Sequence, residues 1–310
     1  MATMISVKLR LCCAAPQLEC NEDNKRPSAG FIPKKLPTFI ALALFGISTF
    51  IHWTQFFAIG RKPFMLTLTI GMTAMVFGFV LRLVYATSPY SLIRYILMDM
   101  FILLSPCAFL ATDYMLLARL TATFDDKVTD RCLLVRSSRI VKFFVWSDCI
   151  TFFLQASGGG LSSQHSVSMA NLGSKITMIG LGLQAASFSV FTVVLLVFGR
   201  RVSTHFPAAW QPQELRPFRV LSRAPVQDWR ILFYTLCFTC IGILVRSVFR
   251  IVEFAGGYHG MVARHEGYFY FFDALPLWLS MSLFCVVWPV RFLNVRPGQM
   301  ELLASGKAYA

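Results

Sequence analysis

The chain has 310 residues, 56% of them hydrophobic and only 14% charged, with 30 Phe and a formal net charge of +14; its mean hydropathy is +0.62. A soluble domain carries about 25% charged and about 45–50% apolar residues, and a globule of this composition could not cover itself with polar surface in water. A soluble enzyme, an extracellular disulfide scaffold and a disordered chain are thereby excluded, which leaves an integral membrane protein.

In chain order, Arg10, Glu19, Glu22 and Asp23 interrupt any apolar signal core in the first 37 residues, so that stretch reads as an extracellular tail and not as a cleaved leader. Seven runs follow that are long and apolar enough to cross a hydrocarbon core of about 30 Å: Thr38–Ile59, Phe64–Ala86, Tyr95–Leu117, Ile140–Gly158, Ser174–Phe198, Ile231–Glu253 and Gly267–Val290. Turn-formers or charges separate them, such as Arg61-Lys62-Pro63 and Thr87-Ser88-Pro89. None alternates apolar with polar residues as a membrane strand would, and backbone in lipid must satisfy its own hydrogen bonds, so the runs are helices. The expected architecture is an all-α bundle of seven transmembrane helices over residues 38–290, followed by a cytoplasmic tail over 291–310.

Lys and Arg concentrate on the cytoplasmic side of membrane proteins. The odd-numbered connections and the C-terminal tail hold 17 of them, whereas the other side holds 9, six of these on the N-terminal tail. The count places the N-terminus outside and the C-terminus in the cytoplasm. The basic residues are spread along one membrane face without a nucleic-acid module, so the net charge is read as topology signal and attraction to anionic lipid. The Arg- and Pro-rich connection Gly199–Arg230 reads as a cytoplasmic surface segment.

Cys107, Cys149, Cys237, Cys240 and Cys285 fall in helices, where a small buried hydrophobe is the plain reading. Cys237 and Cys240 lack the strand–helix setting of a redox pair. A bridge from Cys20 to Cys12 or Cys13 on the outer tail stays open. No metal site or cofactor is expected.

The informative residues are the ones a membrane helix should avoid, because a charge at mid-depth costs about 2.5–3.5 kcal/mol even on mild insertion scales. They are Arg82, Asp99, Asp113, Asp148, Arg246, Arg250, Glu253 and Asp273, with uncharged His52, Gln55, Gln155 and Gln184. Asp148 falls near the middle of the fourth run, and Gln155, seven residues on, shares its face nearer the outside. Arg246, Arg250 and Glu253 form one stripe at i, i+4 and i+7, and Asp273 comes in from the outside on the seventh run. The set gathers in the outer half of the bundle. It reads either as interhelical ion pairs, such as Arg250 with Glu253 or Asp273, or as a polar cavity for a headgroup; a cavity wall needs paired charges too. A lone His52 on an apolar helix suits packing better than proton carriage. Pro106 and Pro276 are expected to kink their helices, and Gly158-Gly159-Gly160 to end the fourth.

Ser147-Asp148-Cys149-Ile150-Thr151-Phe152-Phe153-Leu154-Gln155-Ala156-Ser157-Gly158-Gly159-Gly160-Leu161 resembles the signature of the fungal lipid-translocating exporter family, the RTA-like group named for aminosterol resistance. A second block is similar: Arg246-Ser247-Val248-Phe249-Arg250-Ile251-Val252-Glu253-Phe254, then Gly257, Gly260, His265-Glu266, Tyr270 and Asp273. Phe45-Gly46, His52, Gln55, Gly78, Arg82, Pro106, Tyr114, Arg119, Gly180-Leu181 and Gln184 extend the likeness over residues 38 to 290. The chain departs from that pattern at Met75 and Phe79, where the family has Glu and Tyr, at Met98 for Gln, and at Trp288-Pro289 for His-Pro; Asp99 and Asp113 are additions.

The resemblance implies seven helices with an outside N-terminus. It also implies movement of, or resistance to, amphipathic compounds: sphingoid long-chain bases, sterol-like or porphyrin-like molecules. The implied partners are such a small molecule and membrane lipids, in the plasma membrane; no protein partner is indicated. An ammonium would meet Asp148, Glu253 or Asp273, with its tail among the Phe side chains. The implied translocation set is Asp148 and Gln155 at mid-depth, Arg82, Arg246, Arg250, Glu253 and Asp273 at the outer mouth, and His52. No phosphate-cradling loop is present for the chain's own ATP hydrolysis. Two other classes remain: a seven-helix receptor or stress sensor signalling through residues 199–230, and an intramembrane hydrolase, for which neither HExxH nor GxSxG is found and His52, His165, His205, His259 and His265 lie on different sides.

Overall fold

The computed structural model describes residues 33–87, 91–124, 129, 132, 137–162, 167–210, 226, 228–256 and 266–293. The possible Cys12/Cys13/Cys20 bridge, the C-terminal tail beyond 293, His165, Gly257, His259, Gly260, His265 and most of the 211–227 connection lie outside the described residues.

Among the described residues, seven helices are long and apolar enough to cross a membrane. They are α1 (Lys35–Ile59), α2 (Leu66–Thr87), α3 (Leu92–Thr121), α4 (Ser137–Ser162), α5 (Val167–His205), α6 (Trp229–Ala255) and α7 (Glu266–Val286). No strand occurs among the described residues. The protein is a multi-pass, all-α membrane bundle. Its surface is apolar: Phe50, Trp146 and Phe153 are each 70% exposed. In water such a surface would aggregate, whereas lipid solvates it.

Successive helices pack as neighbours and α7 returns to α1, which closes the ring, while α3 also reaches α6. Gly60, at φ 145°, turns the chain out of α1, and a 3-10 turn at Pro63–Met65 leads into α2. Asp228 starts α6: its carboxylate accepts from the Arg230 backbone N–H at 3.1 Å, satisfying one of the orphan donors of a helix start. Tyr114, Phe144, Phe188 and Phe191 stack through the middle of the core with ring centroids 4.6–6.3 Å apart.

One expectation about helix breakers changes, the stop at Gly158-Gly159-Gly160. α3 runs continuously from Leu92 to Thr121 through Pro106. The glycines at 158–160 do not stop α4, which continues to Ser162; Gly158 instead lets α4 touch α5. A methyl group on Gly158 would fall on Thr177 Oγ1 and 2.7 Å from the Gly173 carbonyl oxygen, and one on Gly173 would meet the Ser162 amide nitrogen. Two helix backbones approach this closely only where both lack a Cβ, the packing that membrane helices favour. In α7 the deviation takes a defined form, a π-helical turn at Phe269–Ala274, where the Leu275 N–H donates to the Tyr270 carbonyl five residues back. Pro276, just beyond, has no N–H with which to restore the regular ladder.

Candidate functional site

One end of the bundle, formed by the starts of α1, α3 and α7 and the ends of α2, α4 and α6, collects most of the membrane-depth charges. The i, i+4, i+7 spacing on α6 turns Arg246, Arg250 and Glu253 to one side, facing the π turn of α7. Arg250 donates to Asp273 through Nε (3.2 Å) and Nη2 (2.7 Å), and to Glu253 through Nη1 (3.2 Å). Arg246 Nε lies 2.6 Å from Asp273 Oδ1. Asp273 is 1% exposed and therefore bridges two buried guanidiniums. The extra residue of the π turn aims this carboxylate inward, between the two arginines. The ion pair expected between Arg250 and Glu253 or Asp273 forms with both acids.

Arg82 on α2 joins the same end. Its Nη2 donates to Glu266 Oε1 at 2.8 Å, and its guanidinium lies over Phe269, 4.5 Å from the ring centroid. Arg250 lies over the same ring at 5.3 Å. Phe269 is thus a neutral spacer between two cations, attractive to both through its ring face. The other Glu266 oxygen accepts from the Lys34 backbone N–H at 2.8 Å, and Thr38 and Tyr270 hydroxyls are 2.7 Å apart. Glu266 therefore ties α1, α2 and α7 together. It stands in the second resemblance block but not among the charges singled out from the sequence, because its position at the very start of a helix resembles a surface residue. Asp99 on α3 lies beside Gly159, within electrostatic reach of Arg82, Arg246 and Arg250. Among the described residues, three arginines thus face four acids here: Asp99, Glu253, Glu266 and Asp273.

Below this cluster a buried polar strip crosses α3, α4 and α5. Gln155 Nε2 donates to Gln184 Oε1 at 2.9 Å, and Gln184 Nε2 donates to Cys107 Sγ at 3.5 Å. Asp148 and Thr151 share the buried face of α4 with Gln155. Asp148 is 3% exposed and neither carboxylate oxygen has a hydrogen-bond partner; its polar neighbour is Tyr114 on α3. Asp113 is fully buried against Thr239 of α6, with Oδ2 3.0 Å from Oγ1.

His52 is elsewhere. It is fully buried, with Nε2 3.6 Å from Cys285 Sγ and its ring 5.9 Å from Trp288, about 21 Å along α1 from Thr38 at 1.5 Å per residue. Gln55 on the same helix donates to the Cys285 carbonyl at 2.5 Å, a group that Pro289 four residues on cannot satisfy. The structure places both residues in the α1–α7 contact, apart from the charged end.

On the lipid side of the cluster, α6 and α7 leave an apolar groove of about 620 Å³ lined by Ile241, Val245, Val248, Phe249, Tyr268 and Phe272. Glu253, next along α6 with 20% of its side chain exposed, borders it. No group of three or more His, Cys, Asp or Glu that could hold a metal occurs among the described residues.

The family model described as "RTA1 like protein" matches residues 68–296. The chain belongs to the RTA1-like family. Relatives include Protein RTM1 of Saccharomyces cerevisiae, 34% identical over 67% of this chain and 62% of its own length. Protoporphyrin uptake protein 1 of the same organism is 32% identical over 67% of this chain and 63% of its own length. Sphingoid long-chain base transporter RSB1 of S. cerevisiae strain YJM789 is 22% identical over 88% of this chain and 76% of its own length. The chain thus spans somewhat less than two thirds of the first two relatives. No solved structure matches it. The family match takes in the stripe on α6 and the α7 acid, which build the charged end in this RTA1-like protein, and the α4 strip below it.

Proposed function

We propose that this RTA1-like protein moves cationic amphiphiles, of the sphingoid long-chain base type, from one leaflet or face of the membrane to the other. The observation that carries the reading is the charge balance at membrane depth: four acids against three arginines at one end, and Asp148 below them with no cation at all. Acids that outnumber the arginines beside them favour a positively charged guest over a neutral or anionic one. One relative supports the class by name, as a sphingoid long-chain base transporter; another, named a protoporphyrin uptake protein, supports amphipathic cargo in general.

In this account the end with Arg82 and Asp273 faces outward, as the Lys and Arg distribution argues, and the protein resides in the plasma membrane. The hydrocarbon tail lies in the groove between α6 and α7. The head reaches Glu253 and Asp273 and then Asp148 and Gln155, while Arg82, Arg246 and Arg250 hold the acidic wall in place. His52 is assigned to packing and not to translocation. Reconstitution in liposomes with a fluorescent long-chain base and a leaflet-selective quencher tests the reading. Wild-type protein is expected to accelerate transbilayer movement, and Asp148→Asn and Glu253→Gln to slow it at least about tenfold, the loss of roughly 1.4 kcal/mol of head–carboxylate attraction. Movement by both variants at the wild-type rate would overturn the site. Ligand-dependent capture of a cytosolic protein without lipid flux would favour the receptor reading instead.

A further inference from the structure

Among the described residues, Asp148 and Asp113 are the two deeply buried acids that no arginine meets, and their surroundings differ. Asp148 has two carboxylate oxygens without a hydrogen-bond donor. The groups facing it are Tyr114 and Cys107 of α3, with Gln155 and, across α5, Gln184, which bond to one another and to Cys107. Cys149, the next residue of α4, is exposed on the opposite, lipid-facing side. The nearby cation on α6, Arg246, is held by Asp273. No cation in this set compensates an ionised carboxylate, the Tyr114 hydroxyl beside it being only a neutral donor, and a lone charge at this depth is strongly disfavoured. Two conditions satisfy Asp148: it carries a proton, or a cation from outside the chain sits against it.

Asp113 has a partner built in. The Thr239 hydroxyl donates to Asp113 Oδ2 at 3.0 Å, in a closed contact between α3 and α6, and also lies 2.8 Å from the Leu236 carbonyl. The other titratable groups near Asp113 are Tyr114 on its own helix and Cys240 on α6. Asp113 is a partnered acid, and Asp148 an open one.

We propose that Asp148 is an exchange site at which a proton and the cationic head of an amphiphile displace one another, so that movement of the amphiphile is coupled one-for-one to protons moving the other way. The inference rests on the transport reading above. The step balances: the neutral carboxyl loses its proton to water on the side from which the cation arrives, and the resulting carboxylate pairs with the bound cation. On the far side a proton returns, neutralises the carboxylate and releases the cation. No covalent bond to carbon changes and no net charge crosses.

The test uses the full chain in proteoliposomes with a one-unit pH gradient, acid inside. The probe is a fluorescent long-chain quaternary ammonium, which carries no titratable proton and so is not trapped by the gradient itself; a lumenal pH dye reports protons. One-for-one exchange drives the probe toward about tenfold accumulation inside, one pH unit being worth about 1.4 kcal/mol, with the lumen turning alkaline as it enters. Nigericin collapses both signals. Asp113→Asn, whose amide oxygen can accept from Thr239 as the carboxyl oxygen does, keeps the coupling; Asp148→Asn loses it; Asp148→Glu restores it with a shifted pH profile, which a merely structural role would not do. Wild-type movement that is indifferent to the gradient, with no lumenal pH change, overturns the exchange and leaves transport standing. Gradient-driven accumulation by Asp148→Asn overturns it as well. No probe movement under any gradient overturns the transport reading and the exchange together.

Discussion

Arg250 grips Asp273 through two nitrogens, Nε at 3.2 Å and Nη2 at 2.7 Å, while Arg246 holds the same carboxylate from one turn below on α6. A bidentate pair of this kind fixes direction as well as distance, and it locks α6 to the π turn of α7. Removing the acid leaves the buried Arg246 without its ion-pair partner and Arg250 with Glu253 alone. Asp273→Asn is therefore expected to destabilise the protein by about 3–5 kcal/mol, measured as thermal unfolding in detergent through reaction of the buried Cys240 thiol. Adding Arg246→Met to Asp273→Asn should recover part of that loss, because one stranded charge disappears with it. A double variant no more stable than the single one would show that Arg246 is compensated by other means.

The second prediction concerns the contact between α4 and α5. Gly158→Leu or Gly173→Leu places a side chain where two backbones meet, and overpacking of this kind costs about 1–3 kcal/mol or more. Gly160 has nothing within 4 Å of its Cβ position. Gly160→Leu should leave the melting temperature unchanged, and equal losses at 158 and 160 would contradict the packing role.

These glycines show where sequence reading succeeds and where it stops. The seven helices are legible because each must cross hydrocarbon, and the apolar runs mark that stretch. Helix ends are less so: α5 has 39 residues, about 58 Å at 1.5 Å per residue against a core of about 30 Å, and its polar extensions past the bilayer carry no hydropathy signal. Three glycines in a row resemble a stop in one dimension; only the neighbouring helix reveals that Gly158 is a contact. The pairing within the α6 stripe follows from spacing and from the depth of Asp273. That Glu266, and not another acid, meets Arg82 depends on the register of α7 against α1 and α2, which a single chain read linearly does not encode.

Arg82 and Glu266 should behave as a unit. Arg82→Gln and Glu266→Gln are each expected to destabilise, and the double variant by less than their sum, with a coupling of about 0.5–3 kcal/mol. Additive losses would mean that the pair, 2.8 Å apart, contributes through other contacts. Phe269→Leu should weaken both cation–ring contacts and cost about 1–2 kcal/mol, read in the same melts.

The α6–α7 groove makes a prediction about tail length. Val245→Trp and Val248→Trp fill it from residues that are 40% and 61% exposed and lack tight neighbours, so stability should change by less than about 1 kcal/mol. Movement of an amphiphile with an eighteen-carbon tail should slow roughly tenfold or more while a short-chain analogue is less affected, because partial occlusion removes apolar contact in proportion to the tail. Equal slowing of both would place the tail elsewhere.

In the proposed transport, buried acid selects a cationic guest. The most direct measurement compares transbilayer movement of two probes with identical tails in the same proteoliposomes, one with an ammonium head and one with a phosphate head. The account predicts that the ammonium probe moves at least about tenfold faster, a preference of about 1.4 kcal/mol, and that Asp148→Asn collapses the ratio. Equal rates for the two heads, or a preference for phosphate, would contradict it.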